Sequence, residues 1–182
     1  MTVRPKPDVS TDAELVAAYR RGEQRAATEL VGRHAAPVGR FLYASGAPSS
    51  DVEDLVQDTF FRAFRALDSW RGQASFRSWL FTIGANLLRD EFRKRKGRQM
   101  LSLDDRDLPD RADPDADLAA AEAEQQVRDG LATLPRLQRE VFLRRAQQGG
   151  DYQEIAAALG TTPGAARVHY HHAVKRLKEL LR

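Results

Sequence analysis

The segment DVEDLVQDTFFRAF, Asp51–Phe64, leaves this chain little choice but to be helical there. Its apolar residues Val52, Leu55, Val56, Phe60, Ala63 and, just beyond, Leu67 recur every three or four positions, the spacing of one buried face of an α-helix. Ser50 followed by Glu53 has the form of a capping box, in which each side chain satisfies the other's free backbone amide. A second face carries Asp54, Gln57, Asp58 and Phe61. A helix face turned only to water has no use for a phenylalanine, so this mixture of acids, amide and aromatic reads as a docking surface for a protein.

The same periodicity runs through the chain. Thr11 and Glu14 form another capping box, opening a helix to about Arg21, and a second covers about Glu23 to Ala44 with Pro37 expected to kink or interrupt it. A long fourth helix is predicted from about Phe76 to Lys96, apolar in FRSWLFTIGANLL and basic at its end. Four more follow: roughly Asp115 to Ala132, Pro135 to Gln148, a short one capped by Asp151 and Glu154 that stops at Gly160, and one from Thr162-Pro163 to about Leu181. No strand-like alternation of useful length appears.

Charge marks the boundaries. The net charge is only +3, but it is unevenly spread. Arg89–Arg98 (RDEFRKRKGR) is basic, Asp104–Asp117 (DDRDLPDRADPDAD) is acidic and holds two prolines, and the last helix is basic again. An acidic, proline-bearing stretch between basic helical blocks reads as a linker. The expected fold class is therefore all-α: two small helical domains, residues 10–97 and 117–182, joined by an acidic linker over 98–116. The chain has no cysteine, which fits a reducing compartment. Neither a signal-peptide core nor a membrane-spanning run is visible, so a cytoplasmic location without direct membrane insertion is expected.

In the second domain a short helix, a turn at Gly160-Thr161-Thr162 and a longer basic helix make a helix-turn-helix pattern. Ile155, Ala156 and Leu159 are expected to pack against Ala166, Tyr170, Ala173 and Leu177. The outer face is assigned Arg167, His169, His172 and Arg176 with Lys175 alongside, a set suited to a DNA major groove. His169 and His172 stand three apart, but no carboxylate or cysteine accompanies them at ligand spacing, so no metal is expected. His34 stands alone on the second helix and is read as structural or exposed.

In the first domain Trp70, Phe76 and Trp79 surround Arg71, Arg77 and the loop Gly72-Gln73-Ala74-Ser75. Aromatic rings beside cations suit unstacked bases, which stack on the rings while arginines hold phosphates. Core packing is the competing role for Trp79, which lies among Phe76, Leu80 and Ile83. Asn86, Arg89, Arg93 and Lys94 continue along the same helix. Neither a catalytic constellation nor a phosphate-binding glycine loop emerges; no enzyme activity, cofactor or small-molecule substrate is expected.

In this order these pieces resemble the bacterial RNA polymerase sigma factors of the extracytoplasmic-function group. The likeness covers about Asp12 to Lys96 and Leu118 to Leu181. DVEDLVQDTFFRAF looks like that family's core-binding helix, SFRSWLFTIGANLLRDEFRKRK like its helix for the −10 promoter element, and LPRLQREVFLRRAQQGGDYQEIAAALGTTPGAA like its C-terminal domain. The resemblance implies that Asp54, Gln57, Asp58 and Phe61 contact the clamp helices of the largest subunit of core RNA polymerase. It implies that the loop Ser69–Ser75, with Trp70, Arg71 and Gln73, captures a base flipped from the −10 element. Arg77, Trp79, Asn86, Arg89, Arg93 and Lys94 would support melting and hold that strand. Arg167, Val168, His169, His172, Lys175 and Arg176 would read the −35 element of promoter DNA, although the family usually carries a small polar residue and arginines where Val168, His169 and His172 stand. An anti-sigma protein is the family's usual regulator.

The expected function is an alternative-sigma initiation factor that binds core polymerase, directs it to specific promoters and helps melt the −10 element. Two other readings use the same residues. A stand-alone helix-turn-helix regulator would bind duplex DNA by itself, and a sigma-like decoy would occupy an anti-sigma protein without needing its basic helices.

Overall fold

A computed structural model describes residues 10–101 and 118–180, with side chains placed for all of these except 96–101, 118–124 and 147–148. The described residues form eight α-helices and one 3₁₀ turn, with no strand among them. The first four are α1 (Asp12–Arg20), α2 (Gln24–Ala44), α3 (Ser49–Arg65) and α4 (Phe76–Leu101), the turn Leu67–Ser69 lying between α3 and α4. The second group is α5 (Leu118–Ala132), α6 (Arg136–Gln148), α7 (Tyr152–Leu159) and α8 (Pro163–Leu180). The α4 helix runs to Leu101, past the expected linker start. Most of the acidic linker lies outside the described residues.

Local chemistry sets the helix ends. At α1 the capping box forms in both directions: the Glu14 amide donates to Thr11 Oγ1 at 3.3 Å, and the Thr11 amide donates to Glu14 Oε2 at 2.6 Å. The box expected at Ser50 and Glu53 does not form. The α3 helix starts two residues early, with Pro48 as its unbonded cap, and Ser50 Oγ donates instead to Asp51 Oδ1. Pro48 fixes its own φ in the range that leads into a helix, so the serine is already inside. Nor is there a capping box at α7: Asp151 caps it by accepting from the Gln153 amide, while Glu154 turns elsewhere. Pro37 does not interrupt α2, which is continuous and buries the ring.

The α3 stripe packs against α2 and α4. Leu55, Phe60, Ala63 and Leu67 are buried there with Val38, Phe41, Leu42, Leu80 and Phe81. Phe41 and Phe81 stack with centroids 4.4 Å apart. Gly84 lets α4 approach α2 and α3: a Cβ there would lie 3.2 Å from Thr59 Oγ1 and 3.3 Å from Leu42 Cδ2. His34 is buried and joins α2 to α1, its Nε2 2.8 Å from Asp12 Oδ2. Burial pushes its pKa below 6.5, and Asp12 only partly counters that.

The two bundles share one apolar core. Leu131, Leu134, Leu143, Ala173 and Leu177, from α5, the turn after it, α6 and α8, continue the cluster built by α1–α4. A smaller core of Val141, Ile155, Ala156 and Ala166 belongs to the second bundle alone. At the seam Arg144 is buried, its guanidinium carbon 5.6 Å from the Phe41 ring centre and its Nη2 3.9 Å from Glu140. Burial lowers its pKa to about 10, so it stays charged at neutral pH.

Candidate nucleic-acid and protein interfaces

The α3 helix divides as its sequence predicts. Leu55, Phe60 and Ala63 face the core, while Asp54, Gln57, Asp58 and Phe61 are exposed together. Phe61 is 60% exposed, the most of the large apolar side chains left open to solvent among the described residues. It lines an open depression of about 570 Å³ with Asp58, Arg62, Arg65 and Ala66, and the Arg65 guanidinium lies 5.5 Å from its ring centre. The arginines were absent from the sequence-derived set. Arg65 stands four residues after Phe61 and Arg62 four after Asp58, the helical spacing that places both beside this face.

The loop after α3 is held by backbone acceptors. Arg20 of α1 donates to the carbonyls of Leu67 at 2.7 Å and Trp70 at 3.1 Å. The Trp70 indole donates to the Ala74 carbonyl at 3.1 Å and meets Phe76 edge-on at 5.7 Å. Trp70 is thus half-buried and rigid, while Arg71, Gly72 and Gln73 are exposed. Gly72 takes a positive φ of 72°, which the tight loop needs and glycine adopts without strain. An open depression of about 520 Å³ lies beside the loop, lined by Ala13, Arg20, Asp68, Trp70, Arg71 and Gly72.

On α4, Trp79 is half-buried with its ring 5.8 Å from Phe76, so packing takes part of its surface. Arg77 is half-buried, with Nε enclosed and unpaired. Asn86 is exposed and accepts from Arg89 Nη1 at 2.9 Å. Arg93 and Lys94 are exposed and pair with Asp90 at 2.5 Å and Glu91 at 2.6 Å. Exposed pairs of this kind hold by only about 0–1 kcal/mol, so a phosphate can replace the carboxylate. Arg89 differs, because it also lies 3.8 Å from Glu140 of α6.

In the second bundle α7 and α8 form the helix-turn-helix. Gly160 closes α7 in the left-handed region at φ 64°, and the Ala165 amide donates to Thr162 Oγ1 at the start of α8. Ala166, Ala173 and Leu177 are buried, leaving Arg167, Val168, His171, His172, Lys175 and Arg176 exposed. His169 was expected among the outer residues; the structure leaves it half-buried with Nδ1 enclosed and unpaired. His171 takes the outward place instead. Its spacing from Arg167 and Val168, four and three residues, is the signal that finds it. Arg167 leans over the Tyr152 ring at 5.3 Å, which pre-orients it at the N-terminal end of α8.

Among the described residues no group of three His, Asp or Glu side chains could hold a metal ion, and no helix is long and apolar enough to cross a membrane.

Comparison with known proteins bears on both bundles. The profile described as Sigma-70 region 2 matches residues 30–98, and that described as Sigma-70, region 4 matches residues 124–177. The RNA polymerase sigma factor CnrH of Cupriavidus metallidurans is 36% identical over 179 residues, covering 93% of this chain and 94% of the relative. The ECF RNA polymerase sigma-E factor of Escherichia coli K12 is 32% identical, with 86% and 87% covered. Among solved structures, CnrH in complex with the cytosolic domain of CnrY superposes with a TM-score of 0.73 at 32% identity, covering 94% of this chain and 97% of that one. The sigma factor RpoE of Bartonella quintana, in complex with the anti-sigma factor NepR, gives 0.70 at 26% identity, covering 85% and 95%.

Proposed function

The chain belongs to the extracytoplasmic-function group of the sigma-70 family of RNA polymerase sigma factors, and from that premise we propose how its residues divide the work of an alternative sigma factor. Residues 10–97 form the unit that binds core polymerase and the −10 element, residues 117–182 the unit that binds the −35 element, and 98–116 connect them. The exposed face of α3 is the observation that carries the reading. Asp54, Gln57, Asp58 and Phe61 stand together in solvent on a helix whose other side is core, and Phe61 supplies the apolar anchor that a protein interface needs at its centre. The partner surface is the clamp helices of the largest polymerase subunit.

Melting then needs no chemistry from the protein, which acts in the cytoplasm as a binding subunit and not as an enzyme. A base leaving the −10 duplex enters the depression beside Trp70, Arg71 and Gly72, with Gln73 at its rim. Arg77, Trp79, Asn86, Arg89, Arg93 and Lys94 hold the strand on either side. Contacts to an unstacked base that the duplex cannot make offset the few kcal/mol of unpairing. In α8, Arg167, His171 and His172 offer hydrogen bonds to base edges or phosphates, and Lys175 and Arg176 offer charge to phosphates. His169 contributes less because it is half-buried. The methyl groups of Val168, 51% exposed on the same face, suit the methyl group of a thymine. As in the solved RpoE complex, an anti-sigma protein is the regulator to expect.

Transcription in vitro with core polymerase, with and without this protein, on fragments of its genome tests the reading. New start sites are expected only when the protein is present, and their upstream sequences give both elements. D54A/Q57A is expected to lose core binding and those transcripts while keeping its fold, since both side chains are exposed. Tight promoter binding by the protein alone, with no effect of D54A/Q57A, would replace the reading with a stand-alone regulator.

A further inference from the structure

The loop assigned to the −10 base is held from outside itself by a side chain that the sequence reading passed over. Arg20, the last residue of α1, directs Nη2 at two backbone acceptors far along the chain, the Leu67 carbonyl at 2.7 Å and the Trp70 carbonyl at 3.1 Å. Its Nε lies 3.7 Å from Asp68 Oδ1. The other end of the loop is fixed by the Trp70 indole, which donates to the Ala74 carbonyl at 3.1 Å, and by the Ser75 amide, which donates to Glu154 Oε1 of α7 at 3.0 Å. Between these ends Arg71, Gly72 and Gln73 are exposed.

The two carbonyls are where such a staple has most effect. The turn Leu67–Ser69 gives way at Trp70 to extended backbone, with φ −75° and ψ 112°. Chain that has left a regular turn keeps two soft dihedrals per residue, so its course needs an outside constraint. Holding the Trp70 carbonyl holds the whole plane of the Trp70–Arg71 peptide. That peptide is trans, so the Arg71 amide points away from Arg20, and the chain enters the Gly72 bend in one direction.

Arg20 also forms part of the wall of the depression that Trp70, Arg71 and Gly72 line. It is not a core residue: its side chain is 39% exposed, and α1 is anchored by the buried Leu15 and Val16. The ion pair with the fully exposed Asp68 is screened by water and holds weakly. The carbonyl bonds are the stronger ones, because their donor is charged. Residue 20 stands before the segment 30–98 that matches Sigma-70 region 2.

We propose that Arg20 is a positioning residue for base capture: its bonds to the Leu67 and Trp70 carbonyls hold the loop Ser69–Ser75 in the shape that receives a base unstacked from the −10 strand. The proposal rests on the assignment of this loop to that base. Arg20 acts through the backbone, and the choice among bases belongs to the loop it holds. Without Arg20 the loop spends less of its time in the receiving shape, and affinity falls in proportion.

Holoenzyme assembled from core polymerase and the full chain is titrated with fluorescent −10 non-template strands, their sequence taken from the start sites found by transcription, and with strands carrying each other base at each position. R20M keeps an unbranched side chain of similar length and removes every donor; R20K keeps a charged donor. R20M is expected to bind the preferred strand about tenfold more weakly, the scale of losing a charged hydrogen bond, and to lose base preference at the captured position alone. R20K should restore most of both. Core affinity and −35 duplex binding of R20M should stay at the wild-type level, which a general loss of fold would not allow. The slope of log affinity against log salt should also be unchanged. A slope shallower by about 0.7 in R20M marks a direct phosphate contact and overturns the positioning role, as does an R20M protein that keeps the wild-type preference or loses it at every position. A wild-type holoenzyme indifferent to every base of the strand overturns the base-capture reading itself.

Discussion

His34 and Val168 show opposite uses of a side chain. His34 is enclosed between α1 and α2, and burial holds its imidazole neutral below the ordinary value of 6.5 despite Asp12. The unfolded chain therefore takes up a proton before the folded one does. The stability this group contributes is fully present above pH 6.5 and is lost as pH falls from there through the lower folded pKa. Urea unfolding between pH 7.5 and 5.5 is expected to show stability falling with acid, with a shallower slope in H34Q. Val168 is the reverse case, an apolar side chain left in water on a polar helix face. If it meets a thymine methyl, replacing that thymine by uracil should weaken −35 binding for the wild type and not for V168A. A loss of about 1 kcal/mol is the scale of one such contact, measurable by competition binding with the polymerase holoenzyme.

At the scale of single elements, α3 was legible from its spacing, because one buried stripe and one open face follow from helical geometry alone. Its start was not. Ser50 and Glu53 satisfy the capping-box pattern, yet Pro48 fixes an earlier entry and the box is unused. The α2 helix likewise tolerates Pro37, since packing on the core stabilises the helix enough to carry one missing amide. The crossing of α4 over α2 and α3 depends on Gly84, a residue the sequence pattern passes over. G84V would drive new methyl groups against Thr59 and Leu42. Overpacking of this kind costs about 1–3 kcal/mol, read as a lower urea midpoint with the helical signal otherwise retained.

For the whole molecule the decisive residue is Arg144, whose side chain is 1% exposed at the seam between the bundles. It fills a helix position that the sequence presents as one more arginine in a basic run. R144A is expected to lower stability by about 3 kcal/mol, since truncating a large, fully buried side chain that lies over Phe41 leaves a cavity in the seam. R144M should cost less, because its apolar chain still covers the Phe41 ring; equilibrium unfolding measures both. The sequence by itself determined the helices, the two bundles, the aromatic loop, the exposed face of α3 and the helix-turn-helix, because each depends on periodicity, caps and turns within a few residues. It could not decide that Glu154 leaves its own helix for Ser75, that Glu140 lies against Arg89, that His171 and not His169 faces outward, or that the bundles share one core. Those facts depend on which surfaces meet across long separations in the chain, and only the packed structure brings them together.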